Sequence, residues 1–229
     1  MRELPAVIQK HYGLIRGLTQ VYNHCRPGNR LRSKGLQLQL GLNRIQGLKI
    51  ISKGQDNQVI LEDYARLKNC TMILGGSHNR IHIGKYCHLT GACFVTEDDG
   101  NRISIGTHTY ICGDTELAAM EGTEIRIGEE CLFSGGIRLR TGDSHSLLDG
   151  SGRRINPSRD ISIGNHVWVG TQVTCLKGVT VAENCVAAAT ATLSGHYDQP
   201  GCVLGGVPAR VVKTGISWTM PRIPMEKEI

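Results

Sequence analysis

Aromatic residues are scarce in this sequence: Phe, Trp and Tyr make up 4% of its 229 residues, with only two Phe and two Trp. No apolar run approaches the roughly 20 residues that a membrane-spanning helix needs. The first residues, MRELPAVIQKHYG, lack the apolar region of a secretory signal. These absences predict a cytoplasmic protein whose core consists of thin, regular layers of aliphatic side chains.

Cysteine pairs of the Cys-x-x-Cys type are also missing, although nine cysteines are present. A disulfide framework is typical of small secreted domains. This chain is too long and too repetitive to need one, so we expect reduced cysteines in the core. The net charge of +6 favours anionic partners. Because the sequence shows no basic stripe with stacking aromatics, we expect no nucleic-acid partner.

What the sequence does contain is a repeat with two nested periods. Apolar pairs recur every 22 residues, at Val59/Leu61, Ile81/Ile83, Ile103/Ile105 and Ile125/Ile127. A six-residue step continues from each pair and resumes after the break, at Leu61, Leu67, Ile73, Ile83, Leu89, Val95, Ile105, Ile111, Leu117, Ile127, Phe133, Leu139, Ile163, Val169, Cys175, Val181, Ala187 and Leu193. This period fits neither a helix nor a single amphipathic strand. It predicts a coil with three short flat sides, each turning one apolar side chain to the interior.

Small residues mark the corners of this predicted coil. Glycines follow the first interior residue of four coils, at Gly84, Gly106, Gly128 and Gly164, where we expect a backbone conformation that only glycine adopts cheaply. A second small residue comes four positions after the first interior residue, at Ala65, Cys87, Thr109, Cys131, Val167 and Cys185. We expect these side chains to be buried.

The repeat divides the chain into three parts. Residues 1–30 are predicted to be a helical lead-in, residues 31–216 the coiled domain with a loop excursion at 145–162, and residues 217–229 a tail that packs over the coils or a neighbour. The lead-in carries an amphipathic pattern, with apolar residues at Leu14, Leu18, Val21 and Cys25.

The break in the repeat is where we expect chemistry. After Leu139 the next six-residue step lands on His145, and 18 extra residues follow before Ile163. An imidazole titrates near neutrality and takes a proton from a hydroxyl group readily. Asp143 lies two residues earlier, so on an extended chain both side chains share a face. Asp143 is therefore expected to orient His145 or, together with the outward-facing Arg140, to bind the molecule that carries this hydroxyl group.

Three strings around the break resemble a known family. They are DSHSLLD at 143–149, RIN at 154–156 and DISIGNHVWVG at 160–170. With the hexads, they resemble the hexapeptide-repeat acyltransferases, closest to bacterial O-acetyltransferases of surface polysaccharides and sugars. The resemblance implies an all-β, left-handed parallel β-helix that forms homotrimers with active sites between subunits. It also implies His145 as general base and Trp168 as an outward-facing wall of the site.

The same resemblance implies acetyl-CoA as co-substrate and no metal. The segment GGVPARVVK at 205–213 is similar to the family segment that lies beside the nucleotide end of CoA. The resemblance implies that Arg210 and Lys213 contact the CoA phosphates. Thr171 and Ala189 match positions that line the CoA channel. Where the family often carries a V-V-T-K run, this chain has LSGH at 193–196, so one expected lysine contact is absent.

The sequence is compatible with several alternatives. The surplus of arginine near His145 fits an acidic glycan such as a sialic-acid polymer, the CoA phosphates, or simply a solvated surface; its members are Arg138, Arg140, Arg153 and Arg154. Other activities are N-acetylation of an amino sugar and acetylation of a small xenobiotic. His78 and His82 are similar to the metal histidines of hexapeptide-repeat carbonic anhydrases, but no third ligand is evident. A non-catalytic scaffold is the last alternative.

Overall fold

A computed structural model describes residues 9–224, which form one short helix and 24 strands. The helix α1 spans Tyr12–Cys25. The strands wind as a three-sided parallel β-helix of about seven coils, and the predicted left-handed β-helix is confirmed. No helix among residues 9–224 is long and apolar enough to cross a membrane.

Each side of the prism is one sheet, and the strands are numbered in chain order. Side 1 contains β1 (Leu36–Leu40), β4 (Asn57–Leu61), β7 (Arg80–Ile83), β10 (Arg102–Ile105), β13 (Glu124–Ile127), β16 (Ile161–Ile163), β19 (Thr180–Val181) and β22 (His196–Tyr197). Side 2 contains β2 (Arg44–Gln46), β5 (Arg66–Lys68), β8 (His88–Thr90), β11 (Tyr110–Ile111), β14 (Leu132–Phe133), β17 (Trp168–Val169), β20 (Val186–Ala187), β23 (Val203–Gly206) and β24 (Ala209–Lys213). Side 3 contains β3 (Lys49–Ser52), β6 (Thr71–Leu74), β9 (Ala92–Thr96), β12 (Thr115–Ala119), β15 (Arg138–Arg140), β18 (Thr174–Cys175) and β21 (Thr192–Leu193). All pairings are parallel except that of β23 with β24, which closes the prism as an antiparallel hairpin.

The interior holds the predicted ladder of apolar side chains, with two corrections. Of the eighteen predicted positions, all but Ile73 and Val95 are buried. In those two coils Met72 and Phe94 point inward instead. The corner between sides 2 and 3 is one residue shorter in the first three coils than in the later ones, so the strand that follows it changes phase.

The corner glycines are needed for space rather than for backbone conformation. Gly106 has no positive φ, but a Cβ built on it would lie 2.6 Å from the carbonyl carbon of Gly128 in the next coil. The left-handed residue of this corner comes two positions later, for example at Tyr86 (φ 58°) and His108 (φ 56°). Close stacking of successive coils therefore excludes any side chain at the glycine positions.

The small corner residues are buried as predicted, and so are most of the cysteines. Ala65, Cys87, Thr109, Cys131, Val167 and Cys185 are all inaccessible to solvent. All nine cysteines are free thiols. Burial raises the pKa of Cys87 and Cys175 to about 12 and that of Cys131 to about 11. These thiols are therefore inert packing groups rather than nucleophiles.

Helix α1 lies against the first coil with its polar side, not with its apolar stripe. Gln20 donates a hydrogen bond to the carbonyl of Leu40 (2.9 Å), and Asn23 donates one to the carbonyl of Asn43 (2.9 Å). The first coil has no preceding coil to bond its carbonyl groups, so these polar side chains cap that edge. The predicted apolar stripe is exposed at Leu14, Leu18, Val21 and Cys25.

The loop excursion is slightly longer than predicted. Strand β15 ends at Arg140 and β16 begins at Ile161, so the excursion comprises residues 141–160 rather than 145–162. The predicted end of the excursion lies two residues too far along the chain, because Ile161 is already buried and paired with Ile125 of β13.

Candidate active site

The excursion lies at the corner where side 3 meets side 1, and its base is closed by the backbone. The amide of Arg159 donates to the carbonyl of Thr141 (2.8 Å), and Thr141 itself is buried. Further out, the amide of Ile155 donates to the carbonyl of Leu147 (2.9 Å). The excursion is thus a hydrogen-bonded hairpin with a defined shape, not an open loop.

Asn156 organises the interior of this hairpin. Its side chain is only 5% exposed. Its Nδ2 donates to the carboxylate of Asp143 (2.7 Å) and to the carbonyl of His145 (2.8 Å), while its Oδ1 accepts the amide of Leu147 (2.8 Å). One buried amide therefore holds the backbone on both sides of position 145. Asn156 belongs to the RIN string at 154–156, but the sequence alone predicts no role for it.

His145 is exposed, and its imidazole has no hydrogen-bond partner among residues 9–224. The six-residue phase assigned it to an interior slot, but the chain has already left the wall at that point. Thr141 and Gly142 are the last buried residues before it. The backbone at His145 is fixed while the ring is free to accept a proton from an incoming group.

Asp143 is engaged by a residue that the sequence analysis missed. Its carboxylate contacts the ammonium of Lys177, from the same corner in the next coil, as well as Asn156. The Lys177 contact first, and the Asn156 hydrogen bond second, hold the pKa of Asp143 below its usual value. Asp143 therefore anchors the hairpin as a carboxylate, although it remains exposed on one edge.

The predicted arginine surplus is neutralised at this corner. Arg140 pairs with Glu97 (2.8 Å) and Glu116 (3.1 Å) and also contacts the hydroxyl of Ser144. The other three arginines each contact one carboxylate, in the pairs Arg138–Asp114, Arg153–Asp149 and Arg154–Glu121. The contacts of Arg140, Arg153 and Arg154 involve the hairpin, whereas Arg138 pairs outside it. With these carboxylate partners, the four arginines leave little charge free for an anionic ligand.

Trp168 points outward from side 2, as predicted, and is 39% exposed. A second tryptophan, from the tail, lies beside it. The indole of Trp218 stacks on His166 (centroids 4.4 Å apart, 9° between planes) and donates to the His166 carbonyl (2.7 Å). Its ring centroid lies 6.1 Å from that of Trp168. The two indoles form an aromatic ledge, of which the sequence predicted only half.

The predicted CoA-contacting residues lie on the same part of the prism as this ledge. Thr171 and Ala189 are both exposed at the corner between sides 2 and 3, in successive coils. Arg210 and Lys213 are exposed on β24, whose hairpin covers the last coil of side 2. Neither cation has a carboxylate partner among the described residues.

The candidate residues thus form two separate groups within one chain. His145, Asp143 and Arg140 lie at the corner between sides 3 and 1. Trp168 lies on side 2, which is the side opposite that corner in a three-sided prism. A single chain therefore does not bring the imidazole to the aromatic ledge.

The other predicted histidines make local contacts. His82 lies 3.0 Å from Glu62, and His78 lies 3.9 Å from Asp56. Within residues 9–224, no group of three or more His, Cys, Asp and Glu side chains is arranged to hold a metal ion.

Part of the sequence is similar to known acetyltransferases. The chain is 31% identical over 90 residues to the polysialic acid O-acetyltransferase of Neisseria meningitidis and 32% identical over 91 residues to that of Escherichia coli O1:K1. Each match covers 39% of this chain, and they cover 42% and 29% of the two relatives. A galactoside O-acetyltransferase of Escherichia coli K12 is 40% identical over 53 residues, which is 23% of this chain and 26% of the relative. No family model matches the sequence.

The similarity in three dimensions extends much further. The structure of the polysialic acid O-acetyltransferase OatWY superposes with a TM-score of 0.80 and 26% identity, covering 84% of this chain and 91% of the other. The polysialic-acid-specific acetyltransferase NeuO gives a TM-score of 0.77 and 27% identity, with 83% and 81% covered. The predicted resemblance to hexapeptide-repeat acetyltransferases is confirmed.

Proposed function

Because the chain is related to the bacterial polysaccharide O-acetyltransferases in fold and in sequence, we propose that it is an acetyl-CoA-dependent O-acetyltransferase acting on a sugar or a bacterial surface polysaccharide. The observation that carries the proposal is His145: an exposed imidazole without a hydrogen-bond partner among the described residues, on a backbone fixed by Asn156. A general base needs this combination of a free ring and a rigid support.

In the proposed reaction, acetyl transfer is direct. Nε2 or Nδ1 of His145 takes the proton from an acceptor hydroxyl as its oxygen attacks the thioester carbonyl carbon. The C–S bond then breaks, and the imidazolium returns the proton to the departing sulfur. The products are an acetyl ester and CoA thiol, so no acyl-enzyme and no oxidant are needed. Asp143, already paired with Lys177, fixes the hairpin rather than accepting the proton.

The donor has a suitable surface at the other group of residues. Arg210 and Lys213, which have no carboxylate partner among residues 9–224, supply cations for phosphates. Thr171 and Ala189 are exposed at the neighbouring corner. Trp168 and Trp218 offer an apolar ledge for the pantetheine arm or for the acceptor. These features fit an extended, anionic thioester.

Two copies of the chain are required in this proposal, because the imidazole and the ledge lie on opposite parts of one prism. A homotrimer, as implied by the resemblance, places the excursion of one copy against side 2 of the next and completes three sites. The cytoplasmic location stays a prediction from the sequence.

The acceptor class is proposed from the relatives, two of which are named for polysialic acid. The third is named for a galactoside. An O-acetyl product survives at neutral pH and is cleaved by mild alkali, whereas an N-acetyl product resists it. Alkali treatment therefore separates our proposal from N-acetylation of an amino sugar.

The test is acetyl transfer by His145→Ala, read as an increase in acceptor mass. We expect a loss of about 10²–10⁴-fold in kcat, the usual contribution of a general base, with unchanged binding of CoA. His24→Ala, which removes an exposed histidine from α1, is the control and should retain full activity. Full activity in His145→Ala would refute the assigned role. Metal analysis of the purified protein tests the hydratase alternative.

A further inference from the structure

A groove on side 2 is lined by cations that, unlike those of the hairpin corner, have no carboxylate partner among residues 9–224. It has a volume of about 300 Å³ and is lined by residues of the first three coils. Arg44 and Arg66 are in register on β2 and β5, and Lys68 lies beside them. All three are exposed and have no carboxylate partner among residues 9–224. The lining contains no acidic residue. We call it the side 2 groove.

Neighbouring like charges in a parallel ladder repel each other, so a cluster of unpaired cations is a cost in the isolated protein. His88 of β8 is in register with Arg66. Its pKa is lowered by desolvation first and by the positive charge of Arg66 second. An anion in the groove would remove the repulsion. The arginines around His145 need no such ligand, because carboxylates already neutralise them.

The groove and Trp168 lie on the same side of the prism, in one column of residues in register. The outward column of side 2 runs in register from Arg44 and Arg66 through His88, Tyr110 and Leu132 to Trp168. Four coil steps separate Arg66 from Trp168, which is about 19 Å at the usual strand spacing. The first two positions of this column, Arg44 and Arg66, are cationic. The next two present the rings of His88 and Tyr110 in edge contact (4.8 Å between centroids).

Resting on the proposed function, we infer that the side 2 groove binds a stretch of an anionic polysaccharide acceptor several sugar units away from the hydroxyl that is acetylated at Trp168. A monosaccharide is too short to reach both places, whereas a polymer with repeated carboxylates contacts the cations and the aromatic rings at once. The groove thereby selects polymers over short acceptors.

The experiment compares polysialic acid with short oligomers of the same sugar, using the variant Arg44→Gln/Arg66→Gln. Loss of these two surface contacts raises KM for the polymer by about tenfold. The kcat for both acceptors and the KM for the short oligomer stay unchanged. The matched control, Lys49→Gln/Lys53→Gln, removes the same charge from the end of side 3 of the first coil and leaves all constants unchanged.

Three results would overturn the inference: no change for the polymer, equal losses for polymer and oligomer, or equal losses in the control. A changed oligomeric state of the variant protein in sedimentation would also overturn the inference, since the groove would then be a contact between copies of the chain. Binding of fluorescent polysialic acid without any donor is measured in parallel. If the protein transfers no acetyl group but the variant still weakens polymer binding, the proposed function fails and the groove stands.

Discussion

The hairpin corner and side 2 use charge in opposite ways. At the corner, Asp143, Arg140 and Arg154 all have partners of opposite sign, so their charges hold one geometry. On side 2, Arg44 and Arg66 have none within the described residues. Charges that are satisfied inside the protein position a reacting group, while unsatisfied ones are available to a ligand. Substitutions at the corner should therefore affect kcat, and substitutions on side 2 should affect KM.

Within the corner, Asn156→Ala is expected to have a large effect on kcat and so tests this contrast. This substitution removes four side-chain hydrogen bonds and frees the backbone on both sides of His145. A displacement of about 1 Å costs on the order of 100-fold in rate. We expect kcat to fall by about 100-fold while KM for acetyl-CoA is unchanged. A thermal melt accompanies the assay, because the buried amide also stabilises the hairpin.

Ser151→Ala, at the exposed tip of the same hairpin, serves as the comparison for Asn156→Ala. Among the described residues, its side chain makes hydrogen bonds with Asp149 and Arg153, which lie near the same tip. We expect wild-type kcat for this variant. Should Asn156→Ala keep its kcat and lose only thermal stability, the amide has a structural role alone.

A smaller effect is expected on side 2 from Trp168→Ala. An aromatic contact contributes about 0.5–1.5 kcal/mol beyond its buried area, so we expect KM for donor or acceptor to rise by about tenfold with little change in kcat. Trp218→Ala removes only the supporting indole of the ledge and should give a weaker change in the same direction. A large fall in kcat with constant KM in Trp168→Ala would contradict the division between corner and side.

The sequence predicted the fold well because its signal is periodic. Sixteen of eighteen interior positions follow from a six-residue step, and the two errors, Ile73 and Val95, arise where a corner loses one residue. Nothing in the hydrophobic pattern reveals the length of a corner, since its residues point outward. The exposure of the apolar stripe of α1 was equally hidden, because the unpaired carbonyl groups of the first coil decide which side of the helix docks.

The candidate site was predictable in its motifs but not in its contacts. Asn156 and Lys177 reach Asp143 from 13 and 34 residues away, across a hairpin whose path has no period. The side 2 groove was overlooked although its signal is present: Arg44, Arg66 and His88 follow one another at the 22-residue period of the coil. Reading charged residues, and not only apolar ones, at that period would have shown the stripe that the sequence analysis called absent.

The smallest expected effect concerns how the corner holds its hairpin as pH changes. Glu121 contacts Arg154 and accepts hydrogen bonds from Ser158. These contacts, with Arg154 first, lower the pKa of Glu121 from 4.5 to about 2. Because the pKa is lower in the folded hairpin, the anchor is complete above about pH 4.5 and is lost as the pH falls towards 2.

Hydrogen exchange of the hairpin amides, corrected for intrinsic rates, measures this anchor. Wild-type protection should be constant from pH 7 to 4.5 and then decrease. Glu121→Gln should show reduced protection already at pH 7 and a smaller decrease in acid, because the carboxylate of Asp143, whose pKa is also lowered, still anchors the hairpin. Glu130→Gln, an exposed carboxylate away from the hairpin, should behave as the wild type. The catalytic cost of Glu121→Gln should be only a few-fold, since an exposed ion pair is screened by solvent and Asn156 still holds the backbone at His145. Unaltered protection in Glu121→Gln would mean that Asn156 and Asp143 alone hold the hairpin. The contrast between paired groups at the corner and unpaired cations on side 2 would then depend on those two residues.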